Sequence, residues 1–128
     1  MMYIALGILE KDGKVLVCRR NRLLPGFRLW EFPTTEVGHG ETIEDALERW
    51  TFESTGLRCV CSGFLPALDG PGCRIFPVRM ACENLFDAVK NADFCKLLKY
   101  NELRNFRFSF PSVIFIKWNK KIRFPHFG

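Results

Sequence analysis

The residues best suited to chemistry crowd into one short stretch around a single helix. Arg49 and Glu53 stand four positions apart, the spacing at which opposite charges meet on a helix. Glu41 lies just ahead of the helix start, within reach of Arg49. That pairing either fixes the preceding loop against the helix or is a surface ion pair worth about 0 to 1 kcal/mol. Glu44 and Glu48 fall on other faces and read as solvated, and Glu36, in the loop before the helix, could reach a cleft. A second cluster, Arg19, Arg20 and Arg22, is cationic. It would suit a phosphate path, or it is solvated charge at a strand end. The formal net charge of +5 favours phosphate-bearing ligands, or again reflects a solvated face with a basic tail. No basic stripe carries base-reading side chains, so a specific nucleic-acid partner is not expected.

The elements that must position these residues are legible from pattern. Residues 2–9 and 14–19 are apolar, rich in β-formers and separated by Asp12-Gly13, a hairpin signal. Residues 20–28 hold Pro25-Gly26 and read as a loop. Leu29 to Phe32 form a short extended piece ended by Pro33. The helix spans Ile43 to Ser54, with Thr42 as N-cap, Glu44 and Asp45 at its positive end and Gly56 placed to end it. Ile43, Ala46, Leu47 and Trp50 make one apolar stripe. Residues 57–64 and 73–82 read as strands joined by a Gly/Pro loop over 66–72, with Pro77 demoting part of the second to an edge or bulge. Phe94 to Tyr100 reads as a strand, Asn101 to Leu103 as the start of a short turn, and Ser112 to Asn119 as a final helix with Pro111 in its first turn. Residues 120–128 read as an exposed, loose tail.

A chain of 128 residues is one domain's length and can bury a real core. Its mean hydropathy of -0.02 is that of an ordinary soluble domain, and thirteen Phe supply core bulk. No apolar run is long enough for a membrane span, and the apolar start reads as a buried strand rather than a signal peptide. Six Cys and two His show no zinc-ligand spacing. The Cys fall mostly in strand-like runs, where free thiols behave as small hydrophobes. A reducing, cytoplasmic compartment without disulfides is expected. The late Phe-rich segment, Phe106 to Phe127, covers the core or meets a partner. Hairpin, extended segment, helix, strands and helix together predict an α+β domain, a mixed sheet with helices on its faces.

Residues 29–57, LWEFPTTEVGHGETIEDALERWTFESTGL, carry a family pattern. Leu29-Trp30-Glu31-Phe32-Pro33, Gly40-Glu41, Ala46, Arg49, Glu53, Gly56 and Leu57 stand at the offsets of the signature of the Nudix hydrolases, and the chain resembles their MutT-like members. The resemblance implies a Nudix-type α/β/α sandwich with a mixed, curved sheet. It implies attack of water on a nucleoside diphosphate linked to another group, and hence a nucleotide-like small molecule as partner. It also implies Mg2+ or Mn2+, held in the family by three helix glutamates and one backbone carbonyl. Here those positions are Trp50, Glu53 and Ser54, with the carbonyl at Thr34. By resemblance Glu41, Arg49 and Glu53 are the catalytic set and Glu53 and Thr34 the metal ligands; Arg19, Arg20 and Arg22 are the substrate-binding cations if they line a phosphate path rather than carry solvated strand-end charge.

The departures from the family are as informative. Its Gly-Gly is Thr34-Thr35, which puts the loop conformation in question because Thr tolerates positive φ poorly. Only one of the three carboxylate positions, Glu53, keeps its charge. Three glutamates there would repel without a cation, whereas Trp50, Glu53 and Ser54 need none, and Trp50 joins the apolar stripe. Weak or altered hydrolysis is therefore expected, the alternative being an inactive Nudix fold that binds a nucleotide or a protein. Asp93 and Glu83 are candidates for a further acidic residue from a later loop, or are plain surface charges.

Overall fold

Strand β1 (Met2–Lys11) is buried over Ile4 to Leu9, on both faces. A strand with no solvated face must be covered by a layer on each side, and successive side chains divide between them. In the computed structural model, Ile4, Leu6 and Ile8 enter one core cluster with Val15, Val17, Phe32, Ile75, Leu98 and Phe115. Ala5 and Leu9 enter another with Leu16, Cys18, Leu47, Leu57, Val78 and Met80. The structure describes residues 1–19, 29–85, 89 and 94–127, with side chains as far as 120.

The sheet grows outward from β1. Asp12 and Gly13 take φ of 53° and 78°, the conformation of a two-residue hairpin turn, and return the chain as β2 (Lys14–Arg19). β2 stays with β1 only at Glu10↔Val15 and Lys11↔Lys14. It then runs beside β3 (Trp30–Glu31) and β8 (Cys95–Lys99). The place it vacates along the start of β1 is taken by β4 (Thr34–Glu36), antiparallel with Leu6↔Thr34 and Ile4↔Glu36. On its other side β1 pairs in parallel with β7 (Cys73–Ala81), from Met2↔Cys73 to Leu9↔Met80. β5 (Val60–Phe64) and β6 (Leu68–Gly70) both lie antiparallel to β7. The sheet is mixed. Helix α1 (Ile43–Thr55) packs on one face and α2 (Phe110–Phe127) on the other, giving the expected α/β/α sandwich. A Cβ at Gly7 would come within 2.7 Å of the Met80 sulfur on β7, whereas Leu47 of α1 would stand at an ordinary contact distance of 3.6 Å, so the glycine makes room for Met80.

Three expectations need correction. The segment 66–72 is not wholly a loop: β6 lies inside it, and the Gly/Pro signal belongs to the turn at Pro71-Gly72, where Gly72 takes φ 69° between the paired Gly70 and Cys73. Pro77 is neither at an edge nor in a bulge but central in β7, opposite Leu6. It is tolerated because its backbone faces the gap where the chain crosses from β5 to β6, and its carbonyl accepts from Leu65 N–H at 3.0 Å, so its lack of an N–H costs little of the ladder. The last helix is longer than Ser112 to Asn119. Its backbone is helical from Phe110 to Phe127, past the expected end at Asn119. Pro111 does stand in its first turn.

Helix α2 is tied to the start of the charged segment by a buried polar contact. Phe32 N–H donates to Ser112 Oγ at 3.1 Å, and both residues are fully buried. The Phe32 and Phe115 rings meet edge to face at 5.2 Å. Ser112→Ala would leave the Phe32 N–H buried without an acceptor, at a cost of about 1 to 3 kcal/mol. The expected result is a lower urea midpoint with an unchanged m-value.

Candidate active site

Helix α1 is set by its ends. Thr42 holds extended backbone (φ -83°, ψ 162°), and its hydroxyl accepts from Asp45 N–H at 3.0 Å. Gly56 closes the helix in the left-handed region at φ 75°, its N–H donating to Phe52 C=O. Between these ends Ile43, Leu47 and Trp50 pack into the α1-side core and Ala46 is fully buried, so the apolar stripe is the one the sequence pattern gives. The helix rotation about that stripe decides where each charged side chain stands.

Glu41, Arg49 and Glu53 form one connected chain of charge. Glu41 Oε2 accepts from Arg49 Nε at 2.9 Å, and Oε1 accepts from Arg49 Nη2 at 3.1 Å and from Gly38 N–H at 2.9 Å. The Glu41 N–H in turn donates to Gly38 C=O. The fork therefore ties the guanidinium on α1 to the backbone of the loop before it, a geometry stronger than a simple ion pair. Arg49 Nη1 also reaches Glu53 Oε2 at 3.5 Å. The Glu41 side chain is the most sheltered of the three at 26 % exposed, against 43 % for Arg49 and 62 % for Glu53. The hydrogen bond from Arg49, then that from Gly38, holds the Glu41 carboxyl below the ordinary carboxylate range.

Thr34 and Thr35 adopt β4 without positive φ. Gly7 N–H donates to Pro33 C=O and Val37 N–H to Tyr3 C=O. By the alternation of an antiparallel ladder, Thr34 and Glu36 occupy non-hydrogen-bonded positions, with their backbone polar groups turned away from β1. The Thr34 hydroxyl donates to Phe32 C=O at 2.6 Å. Trp50 is half-buried, and Ser54 is half-buried on the same helix.

Arg19 does not join this chain of charge. Its guanidinium lies 5.5 Å from the centroid of Trp30, and Lys96 Nζ lies 5.6 Å from the same ring, which meets Phe106 edge to face. Arg20, Arg22 and Asp93 lie outside the described residues. Glu83 is exposed and lines a shallow depression of about 700 Å3 with Gly56, Arg58, Val60 and Asn84, at the C-terminal end of α1. Glu48 is not simply solvated. Its carboxylate accepts from Cys61 N–H at 3.2 Å, and burial followed by this carboxylate's charge pushes the Cys61 thiol up to about 12. Lys96, Ser112 and Asn119 were not expected to matter. Asn119 is buried, with an Oδ1 that has no hydrogen-bond partner. No local pattern marks Lys96 or Ser112, because each meets a partner distant in sequence.

The model of the NUDIX domain matches residues 3–109. The chain belongs to the NUDIX domain family. Among solved structures, a NUDIX hydrolase from Nitrosomonas europaea superposes with a TM-score of 0.72 at 16 % identity, covering 94 % of this chain and 88 % of that one. A MutT structure from work on Aliivibrio salmonicida and Vibrio cholerae gives 0.68 at 18 %, covering 91 % and 92 %. An ADP-ribose pyrophosphatase from Streptococcus suis gives 0.67 at 13 %, covering 87 % and 81 %. At such identities the likeness shows the fold. No curated protein sequence matches the chain.

NUDIX hydrolases generally use divalent metal ions, and the donors present in this NUDIX chain do not fit one well. A hard divalent cation takes about six or more oxygen ligands, carboxylates foremost. Glu53 is the one carboxylate on the three family positions, it is shared with Arg49, and Thr34 could add only a carbonyl. Among the described residues no three His, Cys, Asp or Glu side chains are grouped to hold an ion.

The Arg49 fork gives a pH test. A carboxyl whose folded pKa is depressed adds stability that is fully present above its unfolded value, about 4.3, and is lost as pH falls through the lower folded value. Glu41 should therefore titrate below free glutamate in an NMR pH series. Arg49→Met should move it back upward and remove its share of the acid-range stability change.

Proposed function

We propose that this protein is a Nudix hydrolase of nucleoside diphosphate-linked compounds whose turnover is weak because two of the three helix carboxylates are replaced. The observation that carries this reading is the Gly38–Glu41–Arg49–Glu53 chain. Its loop-to-helix fork holds Arg49, which reaches Glu53, the remaining carboxylate, at 3.5 Å on an exposed face. Glu41 and Arg49 are then positioning residues, and Glu53 is the group left to act on a reacting oxygen or on a weakly held Mg2+ or Mn2+. The structural relatives include proteins named as MutT and as an ADP-ribose pyrophosphatase, which supports a nucleotide-like diphosphate as the substrate class and leaves the base open. The basic balance of the chain, net +5, supports an anionic ligand, and Arg19 with Lys96 beside Trp30 supplies cations for it. The six free cysteines accord with a reducing, cytoplasmic setting. Among the described residues no helix is long and apolar enough to cross a membrane.

A second reading, an inactive nucleotide-binding or protein-interaction module, is favoured by one observation. Trp50 stands at a family ligand position and packs against the α1-side core cluster, so that side chain serves stability.

One experiment separates the two. A panel of nucleoside di- and triphosphates and ADP-ribose is incubated with Mg2+ or Mn2+, and phosphate or pyrophosphate release is followed beside thermal shift. The hydrolase reading expects slow release from at least one compound, lowered at least about tenfold by Glu53→Gln, a loss of about 1.4 kcal/mol of transition-state stabilisation. Stabilisation by a nucleotide with no release from any compound, and no effect of Glu53→Gln, would replace it with the binding-module reading.

A further inference from the structure

Two cysteines far apart in sequence face each other across the β2–β8 pair. Cys18 and Cys95 are direct partners in the antiparallel register, their sulfurs lie 3.4 Å apart, and they are only 2 % and 6 % exposed. Their place in the ladder is defined by the neighbouring pair, since Arg19 N–H donates to Phe94 C=O at 2.6 Å. Residues 19 and 94 thus form a hydrogen-bonded pair. By alternation Cys18 and Cys95 form a non-hydrogen-bonded pair, in which Cα atoms stand about 4.5 Å apart. That separation falls within the range a disulfide spans, about 4.4 to 6.8 Å, and the register aims both side chains at the same face of the sheet, into the α1-side core.

We propose that Cys18 and Cys95 are a site of reversible oxidative modification, closing a cross-strand disulfide when the protein meets a peroxide. Either thiol can donate the hydrogen bond that joins the two sulfurs; the one that accepts it is the attacking sulfur and the donor the resolving one. The attacking thiolate takes one peroxide oxygen, the O–O bond breaks, and hydroxide takes up the proton that thiol gave up and leaves as water, giving a sulfenic acid. The resolving sulfur then attacks the sulfenic sulfur, the S–O bond breaks, and a second water leaves with the resolving thiol's proton. Two thiols lose two electrons to one peroxide, which becomes two waters. β8 joins the described sheet through β2, so the bond would lock this peripheral strand in place. Arg19 and Lys96, each next to one of the two cysteines, would keep their positions around Trp30.

The test is run on native protein treated with hydrogen peroxide, quenched by alkylation and mapped by non-reducing peptide mass spectrometry. The expected product has lost two hydrogen atoms, joins the peptides containing Cys18 and Cys95, melts more than about 5 °C higher because the bond closes a long loop, and reverts with dithiothreitol. Cys18→Ala and Cys95→Ala should each abolish that linkage. If either variant fails to fold, the wild-type peptide map decides alone. Six intact thiols after treatment, a linkage mapped to Cys59, Cys61, Cys73 or Cys82, or oxygen added at Cys95 without a cross-link would each overturn the proposal.

Discussion

A β-strand whose two faces are both apolar cannot exist at a surface, and β1 is such a strand from Ile4 to Leu9. Covering both faces requires a helix on each side, and hydrogen-bonding both edges requires neighbours on each flank. β7 satisfies one flank along nearly the whole strand. The other is divided between β4 at the start and the hairpin with β2 at the end. That division is what delivers β3 and β4, and with them the loop that leads into α1, to the middle of the molecule. The charged segment is where it is because β1 leaves a place for it.

Helix α1 then faces two demands. Its apolar stripe must cover Ala5, Gly7 and Leu9, and its opposite side must carry the charges. Trp50 falls on the stripe, and the part of it that is covered adds hydrophobic stabilisation of about 25 cal/mol per Å2 of apolar surface. A glutamate at that position would give up this contact and add a second negative charge near Glu53. The same rotation leaves Arg49 and Glu53 outward, where the fork from Arg49 to Glu41 and the Gly38 backbone holds the loop. The loop is held to the helix on one side of α1 while Trp50 packs against the core on the other. The extended Thr34 and Thr35 show that the loop needs no glycine there: β4 is ordinary strand, and the carbonyl at position 34 is turned away from β1 by ladder alternation rather than by positive φ.

Sequence pattern reached the local parts of this structure because their causes are local. The helix limits follow from Thr42 and Gly56, the stripe from 3.6-residue periodicity, the hairpin from Asp12-Gly13, and the family from the spacing of Glu41, Arg49, Glu53 and Gly56. It misjudged Pro77 because an edge rule was applied without knowledge of the neighbours. A proline is tolerated in a central strand when its nitrogen faces a gap between two partners, and that gap is set by where β5 ends and β6 begins. Pattern alone gives Glu48 as solvated, because its acceptor role depends on Cys61, on another element.

The sequence by itself determined the class of the domain and the helix that bears the charges, both of which depend on residue types a few positions apart. Only the tertiary structure decided which distant groups meet: Ser112 under Phe32, Lys96 beside Arg19 on Trp30, and Cys18 against Cys95. The physical reason is register. Which residue of β8 stands opposite which residue of β2 is fixed by the joint burial of both faces of the sheet, and a slip of one residue would turn each side chain to the opposite face.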